Sequence, residues 1–484
     1  MLKSHENPSK PIAVDLDGTL VKTDLLLESI NAYLAQNPLR FFKLISWVLG
    51  GRLLLKARLA EKTDLDFTSL PYNTQVLKWL HEQRAAGRTL VLATASHRVL
   101  AEGVSQHLGI FETVLATDGD TNLKARNKSN SLVASYGLRG FDYVGNEGAD
   151  LDVWSAADKA HVVSSSRALA ARVRSQGNLG EVFDPEHGNT IHSLFRAVRL
   201  HQWMKNLLIF VPLVTSHSWT NLTADWRAIV AFVVFGLTAS SIYVVNDMID
   251  VTDDRHHRRK RERPFAAGHL SLAAGWLLWP ALLGVAVTIT MLLLPPAFLV
   301  ALLGYVVLTL VYSLFLKQRA VVDVLALATL FTLRIIAGAT AISVPVSFWL
   351  LTFSMFFFLS LAFIKRFSEL QTARDADYRG QIRGRGYFHT DLEMISSLGA
   401  GSGLISVLVL ALYVQDHDTA ELYKTPELLW LACPLVLFWI SRAWLLTHRG
   451  LMHDDPIVFA LKDRMSWIVV AVLVLALALG VVVG

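Results

Sequence analysis

From Leu207 onward the chain runs as a succession of uncharged apolar blocks, each long enough to cross a bilayer core of ~30 Å. That pattern limits the fold more than any other feature. Ser271 to Leu316 contains no charged residue and suffices for two crossings, with Pro295-Pro296 at the turn between them. Spans are expected near 203–220, 227–246, 271–294, 296–316, 321–343, 346–364, 393–414, 427–446 and 465–483, nine helices in an all-α polytopic membrane bundle. So many long uncharged blocks in one half exclude an ordinary soluble chain.

The first 180 residues or so have soluble composition, and Gly180, Pro185, Gly188 and Asn189 mark a linker. The expected division is 1–180, a linker at 181–192, and 193–484. In the first part Ile12–Val14, Leu90–Ala93, Val114–Ala116, Tyr143–Val144 and Val162–Val163 read as strands separated by helical stretches. Such alternation predicts an α/β domain with a parallel, doubly wound sheet. Chemistry in such a sheet sits beyond the carboxyl ends of the strands, and the first strand runs into Asp15-Leu16-Asp17-Gly18-Thr19. Two carboxylates two residues apart can divide the labour there, one attacking phosphorus and one shuttling a proton.

These residues resemble the haloacid dehalogenase (HAD) superfamily of phosphatases over about residues 10–165. The resemblance implies Asp15 as nucleophile, Asp17 as general acid/base, Thr94 as the hydroxyl that holds phosphate, and Lys128, or alternatively Lys124, as the charge-offsetting lysine. Gly145-Asn146-Glu147-Gly148-Ala149-Asp150 resembles the acidic magnesium motif, so Asp15, Asp17, Asn146 and Asp150 form the implied Mg²⁺ set. Asn146 stands where the family has an aspartate; its amide still offers oxygen but lowers the site's charge, which leaves an inactive docking scaffold as an alternative. Residues 24–86 or so read as a helical cap. Within it, Phe41, Phe42, Trp47 and several leucines are mixed with Arg40, Lys43, Arg52, Lys56 and Arg58, a pattern found both in interfacial membrane helices and in ordinary cap cores.

In the membrane half, Asp247, Asp250 and Asp254 are three and four residues apart, so on a helix they share one face at the end of the second span. Clustered carboxylates repel one another and demand a cation, and Mg²⁺ shared with a substrate diphosphate suits them. Lys260 and Arg263 follow closely enough to hold further phosphate oxygens. The segment Asn246 to Gly268 resembles the Asp-rich motif of the UbiA superfamily of intramembrane transferases, with Asn246, Asp247, Asp250 and Asp254 as the implied metal set. The resemblance covers about residues 193–484 and is strongest to the branch that transfers phosphoribosyl groups to polyprenyl phosphates. Gln202, Lys205 and Asn206, then His257, Lys260 and Arg263, then Tyr312, Lys317, Asp323 and Arg334, and finally Lys365, Arg366 and Glu369 carry it.

That branch implies phosphoribosyl pyrophosphate (PRPP) as donor, a polyprenyl phosphate as acceptor and Mg²⁺ as cofactor, with Asp247 and Asp250 catalytic and the other residues binding substrate. The fused phosphatase-like part would then remove the 5-phosphate of the product, hydrolyse released pyrophosphate, or serve without catalysis. Asp375 and Asp377 lack the spacing of the second Asp-rich motif of aromatic prenyltransferases, which weighs against that rival. A transporter would place acidic residues near mid-membrane rather than at one end.

The net charge of +5 sits beside the membrane spans, so it argues for topology and not for nucleic acid. A single cysteine, Cys433, excludes a cystine framework and a Cys-rich zinc site. Arg255, Arg258 to Arg261 and Arg263 follow the second span, Lys317 and Arg319 the fourth, and Lys365, Arg366, Arg374, Arg379, Arg383 and Arg385 the sixth, while the opposite loops are nearly bare. The positive-inside rule therefore predicts an inner-membrane protein with its N-terminal domain in the cytoplasm. A reporter fused before Met1 should read as inside and one fused after Gly484 as outside; the reverse pattern refutes this topology.

Overall fold

The structure, a computed structural model, describes residues 10–118, 123–186, 190–375, 385–415, 425–452 and 455–482. It divides into two compact units, one combining the chain through Arg199 with Tyr243–Ala281, the other combining Leu200–Ile242 with Leu282–Gly484. Met1, Gly188, Asn189, Asp377, Arg379, Arg383 and Gly484, which carry expectations above, lie outside the described residues.

In the first unit β1 (Ile12–Val14), β2 (Leu90–His97), β3 (Thr113–Thr117), β4 (Asp142–Gly145), β5 (Ala160–Val163) and β6 (Leu179–Phe183) form one sheet in the order β3-β2-β1-β4-β5-β6. Every pairing is parallel. Both faces are apolar, as a doubly covered sheet requires: Ile12, Val14, Leu90 and Leu92 pack on one side, and Ala13, Val91, Ala93 and Tyr143 on the other. Strand β1 lies between β2 and β4, and Asp15 follows it directly, its N–H donating to the Val144 carbonyl at 2.9 Å. The sheet also runs past the expected boundary at 180, because Val182 and Phe183 of β6 pair with Val162 and Val163.

The cap contributes helices Leu25–Gln36, Phe41–Leu49 and Arg52–Lys62. Asp24 caps the first, accepting from the N–H groups of Leu26 and Leu27. This helix docks on the Tyr243–Ala281 segment through both oxygens of Glu28, which accept from the Arg255 guanidinium at 2.7 and 3.1 Å. The Asn31 amide donates to the Met248 carbonyl beside it. Ala197, Val244, Met248, Val251 and Phe265 form the apolar cluster around that junction, with Leu27 packed against it.

Among the described residues, seven helices are long and apolar enough to cross a membrane, and a pair bent by 81°, Pro456–Lys462 with Arg464–Gly480, would make an eighth. The chain is an integral membrane protein. Helices Leu272–Leu293 and Pro296–Leu314 flank the expected proline turn, with Pro296 at the first helical position where its missing N–H costs nothing. Nine spans were expected, and the shortfall lies at 203–220. Leu200–Phe210 winds as a 3-10 helix, Val211–Thr215 adds one short helix, and positive φ at His217 ends it. An eleven-residue 3-10 stretch presents Lys205 and Asn206 to partners inside the second unit, which a continuous lipid-facing span would not.

Glu28 and Arg255 are both almost fully buried, so removing one strands the other as an unpaired charge worth roughly 3–5 kcal/mol. Glu28→Ala should lower the thermal midpoint of the detergent-solubilised protein by roughly 6 °C or more, and Glu28→Gln combined with Arg255→Met should lower it less. An unchanged midpoint in Glu28→Ala would deny the pair this weight.

Candidate active sites

Asp15 and Asp17 open onto a cavity of about 490 Å³ whose wall includes Lys22, Lys56, Ser96, Lys128, Asn146 and Ser271. Lys128 donates to Asp15 at 2.8 Å and to the Tyr143 hydroxyl at 2.9 Å, so it, and not Lys124, carries the ion pair with the expected nucleophile. Asp17 accepts from the Leu25 N–H at 2.8 Å and from the Ser96 hydroxyl at 2.5 Å. Thr94 is fully buried and its hydroxyl accepts from the Ser96 N–H, so it shapes the turn while Ser96 faces the cavity. Asp150 comes to the site but both its oxygens are engaged: one accepts from the Tyr143 hydroxyl, the other from the N–H groups of Asn146 and Glu147. Gly18 has φ +72°, and a β-carbon there would collide with the Asn146 amide, which explains a glycine after the second aspartate.

The Asn146 side-chain oxygen is buried at this cavity and no hydrogen-bond donor reaches it. An orphaned acceptor beside Asp15 and Asp17 fits a hard divalent cation, so Asp15, Asp17 and Asn146 are the residues that would hold Mg²⁺ here. Burial raises Asp15 to about 6, against the pull of Lys128, and burial with the neighbouring Asp24 charge raises Asp17 to about 7. Burial works against the Lys128 charge as well, but Asp15 and Asp150 outweigh it and raise its value. Together the groups offer a nucleophilic carboxylate paired with a cation and a second carboxyl that holds its proton near neutrality.

The Asp-rich segment belongs to the same unit. Helix Leu222–Ile249 ends at Asp250, and Val251–His256 continues the ladder, with the Asp254 N–H donating to the Asp250 carbonyl at 2.8 Å. Asp247 and Asp254 are buried and converge on one nitrogen of Arg263, at 3.1 and 2.6 Å. Arg199 also pairs with Asp247 and stacks over Tyr243, while Lys260 stands 3.9 Å from Asp254. His257 accepts from the Arg259 and Lys260 N–H groups and so holds the basic turn. Two carboxylates aimed at one point, now met by a guanidinium, suit a cation. Among the described residues no three His, Cys, Asp or Glu side chains form a cage by themselves.

In the second unit most of the expected residues fall into three groups. Arg366 donates to Asp323, Glu369 and Tyr312, and Tyr387 donates to Asp323 at 2.5 Å. Lys205 and Lys365 share Asp455 at 2.8 and 3.5 Å. Arg334 donates to Asn206, to the Leu330 carbonyl and to Tyr305, and lies over the rings of Phe235, Tyr305 and Phe331. Asp323 and Arg334 are both buried, but eleven residues of helix hold them about 16 Å apart, so they serve different groups. Gln202 lies on the Leu200–Phe210 stretch and Lys317 on the 3-10 turn Leu316–Gln318.

Residues 208–455 match the UbiA prenyltransferase family. The chain belongs to the UbiA family. Residues 12–151 match haloacid dehalogenase-like hydrolases, so a HAD-like domain precedes the UbiA domain. The chain is 36% identical to uncharacterized protein y4nM of Sinorhizobium fredii over 97% of its own length and 91% of that protein. It is 37% identical to nodulation protein NoeC of Azorhizobium caulinodans, covering 59% of this chain and 91% of the relative. Decaprenyl-phosphate phosphoribosyltransferase of Mycolicibacterium smegmatis is 32% identical, covering 57% of this chain and 88% of that protein. The y4nM relative thus spans both the HAD-like and the UbiA parts.

The raised values of Asp15 and Asp17 mean that the metal-free folded chain keeps protons that the unfolded chain has released. Their stabilising contribution is complete below the ordinary value of 3.8 and is lost as pH rises through about 6 and 7. In EDTA, the thermal midpoint of wild type relative to Asp17→Asn should fall between about pH 5 and about pH 8. A difference that stays flat or rises would contradict it.

Proposed function

We propose that the chain transfers 5-phosphoribose from PRPP to a polyprenyl phosphate at the cytoplasmic face of the inner membrane, and that its HAD-like domain removes the 5-phosphate of the product. The result is a lipid-linked pentofuranose donor. The observation that carries the reading is the convergence of Asp247 and Asp254 on one cation position, ringed by Arg199, Lys260 and Arg263. Carboxylates and guanidiniums mixed in that way suit a metal-bound diphosphate. Relatives named decaprenyl-phosphate phosphoribosyltransferase support PRPP over a prenyl diphosphate as donor.

In the transfer, a phosphate oxygen of the lipid attacks ribose C1, the bond from C1 to the pyrophosphate oxygen breaks, and pyrophosphate leaves. Bound Mg²⁺ supplies the charge that makes pyrophosphate a good leaving group. Asp247, Asp250 and Asp254, with Asn246, would hold that ion, and Arg199, Lys260 and Arg263 would orient phosphate oxygens. No protein nucleophile is required. In the second step an Asp15 oxygen attacks the 5-phosphorus, the bond to the ribose oxygen breaks, and Asp17 gives that oxygen its proton. Water then cleaves the aspartyl phosphate, with Asp17 taking the proton back, and Lys128 offsets charge throughout.

Radiolabelled PRPP with purified protein and polyprenyl phosphate tests the first step. Asp247→Ala should lose at least about tenfold in rate, about 1.4 kcal/mol of barrier. Unchanged turnover in the folded variant would sink the metal assignment. Mass analysis of the lipid products tests the second: Asp15→Asn should accumulate the phosphorylated lipid that wild type converts, and identical phosphorylated products from both would leave the HAD-like domain a docking role.

A further inference from the structure

The cap presents a surface that neither proposed reaction uses. Helix Phe41–Leu49 turns Leu44 and Trp47 inward, onto a small cluster with Tyr33, Leu34, Leu55 and Leu59. Its other apolar side chains point away: Phe42 is 72% exposed and Leu49 83%, and Leu39 just before the helix is 71% exposed. A contiguous patch of this kind is costly in water and marks an interaction surface.

Two observations identify what covers it. Trp276 packs against the same cluster, and it lies near the start of Leu272–Leu293, a helix long and apolar enough to cross a membrane. The cap therefore packs beside the start of that helix, and tryptophan is enriched where membrane helices meet the interface. The second observation is charge. Between Glu28 and Glu61 the sequence has no acidic residue, whereas Arg40, Lys43, Arg52, Lys56 and Arg58 all fall there. Lys43 is exposed within the apolar helix itself.

We propose that Phe41–Leu49, with the helix that follows it, is an interfacial anchor lying in the anionic surface of the bilayer that Leu272–Leu293 crosses. The anchor reaches the phosphatase-type cavity directly. Lys56, on helix Arg52–Lys62, lines that cavity and donates to the Ala95 carbonyl at 2.6 Å. Leu26, Leu27 and Ser271, the residue before the membrane helix, line it too. Seating the cap in the lipid surface holds the mouth of the Asp15–Asp17 cavity at headgroup depth, where a phosphate monoester carried on a lipid would meet it. The anchor itself does not depend on either reaction.

The test uses the full chain in nanodiscs. A lipid carrying a photoactivatable diazirine in its acyl chain should label peptides spanning 39–49 in the unmodified protein, and should not label the peptide containing Leu138, which is 71% exposed on the sheet domain. In Cys433→Ser protein, spin labels placed by Phe42→Cys or Leu49→Cys should collide with oxygen more than with a water-soluble nickel complex, and a label at Leu138→Cys the reverse. Lys43→Gln should weaken seating about fivefold in anionic nanodiscs and little in neutral ones, the effect of one basic side chain near such a surface. Absence of lipid labelling, or water-type accessibility at 42 and 49, overturns the proposal. Protection of both positions from both reagents also overturns it, because a protein partner then covers the patch.

Discussion

Arg255 cannot be buried alone, and the Asp-rich segment is arranged around that constraint. Its guanidinium satisfies the requirement with both Glu28 oxygens and the Ala266 carbonyl, leaving almost none of it to water. Glu28 stands one turn along the helix whose first N–H, from Leu25, holds Asp17. One helix thus fixes Asp17 of the HAD-like domain at its start and the residue beside Asp254 a turn later. The Asn31 bond to the Met248 carbonyl, one residue after Asp247, repeats the grip on the other side of the motif. A shift of this helix would be felt at both candidate sites, which gives covalent fusion a mechanical consequence beyond simple tethering.

Burial also separates the roles of Asp15 and Asp17. Both lose hydration, and desolvation alone would protonate both. Lys128 returns part of the cost to Asp15, whereas Asp17 has only the Ser96 hydroxyl and the Leu25 N–H, with Asp24 pressing the other way. The carboxyl with a lysine is the one suited to act charged, as a nucleophile. The carboxyl without one, at about 7, is suited to carry a proton. Tyr143 links Lys128 to Asp150, so the acidic motif orients the lysine even where its own oxygens are fully occupied.

Features set by periodicity were legible in the sequence. The five short strands and the Asp-x-Asp position followed from apolar runs, and the proline turn from backbone chemistry. Strand β6 was not, because Leu179–Phe183 is an edge strand with exposed Glu181 and Val182 and no continuous apolar run. Arg199 and Tyr143 carry no signal in the sequence for another reason. Arg199 precedes Asp247 by 48 residues, and no local spacing signals that pairing. Tyr143 reads in the sequence as an ordinary strand residue, and only the sheet order, with β4 beside β1, brings its hydroxyl to Lys128. Tyr387 and Arg385 joined the Asp323–Arg366 group in the same unannounced way, through tertiary contact from a distant loop.

Charge is unevenly balanced in the interior of the second unit. Asp323, Arg366, Glu369 and Arg385 balance one another, with Tyr312 and Tyr387 completing their hydrogen bonds, so that group adds rigidity and little net charge. Lys205 and Lys365 share a single carboxylate, Asp455, and leave an excess positive charge. Arg334 goes further: among the described residues no carboxylate pairs with it, and aromatic faces with neutral oxygens hold it instead. A guanidinium within a membrane helix without a counter-ion is costly, and an anion is what would relieve that cost. An interior with cations in excess repels a transported cation and attracts phosphate. That balance weighs against an ion pathway and supports the reading in which lipid phosphate and diphosphate are the groups the bundle handles.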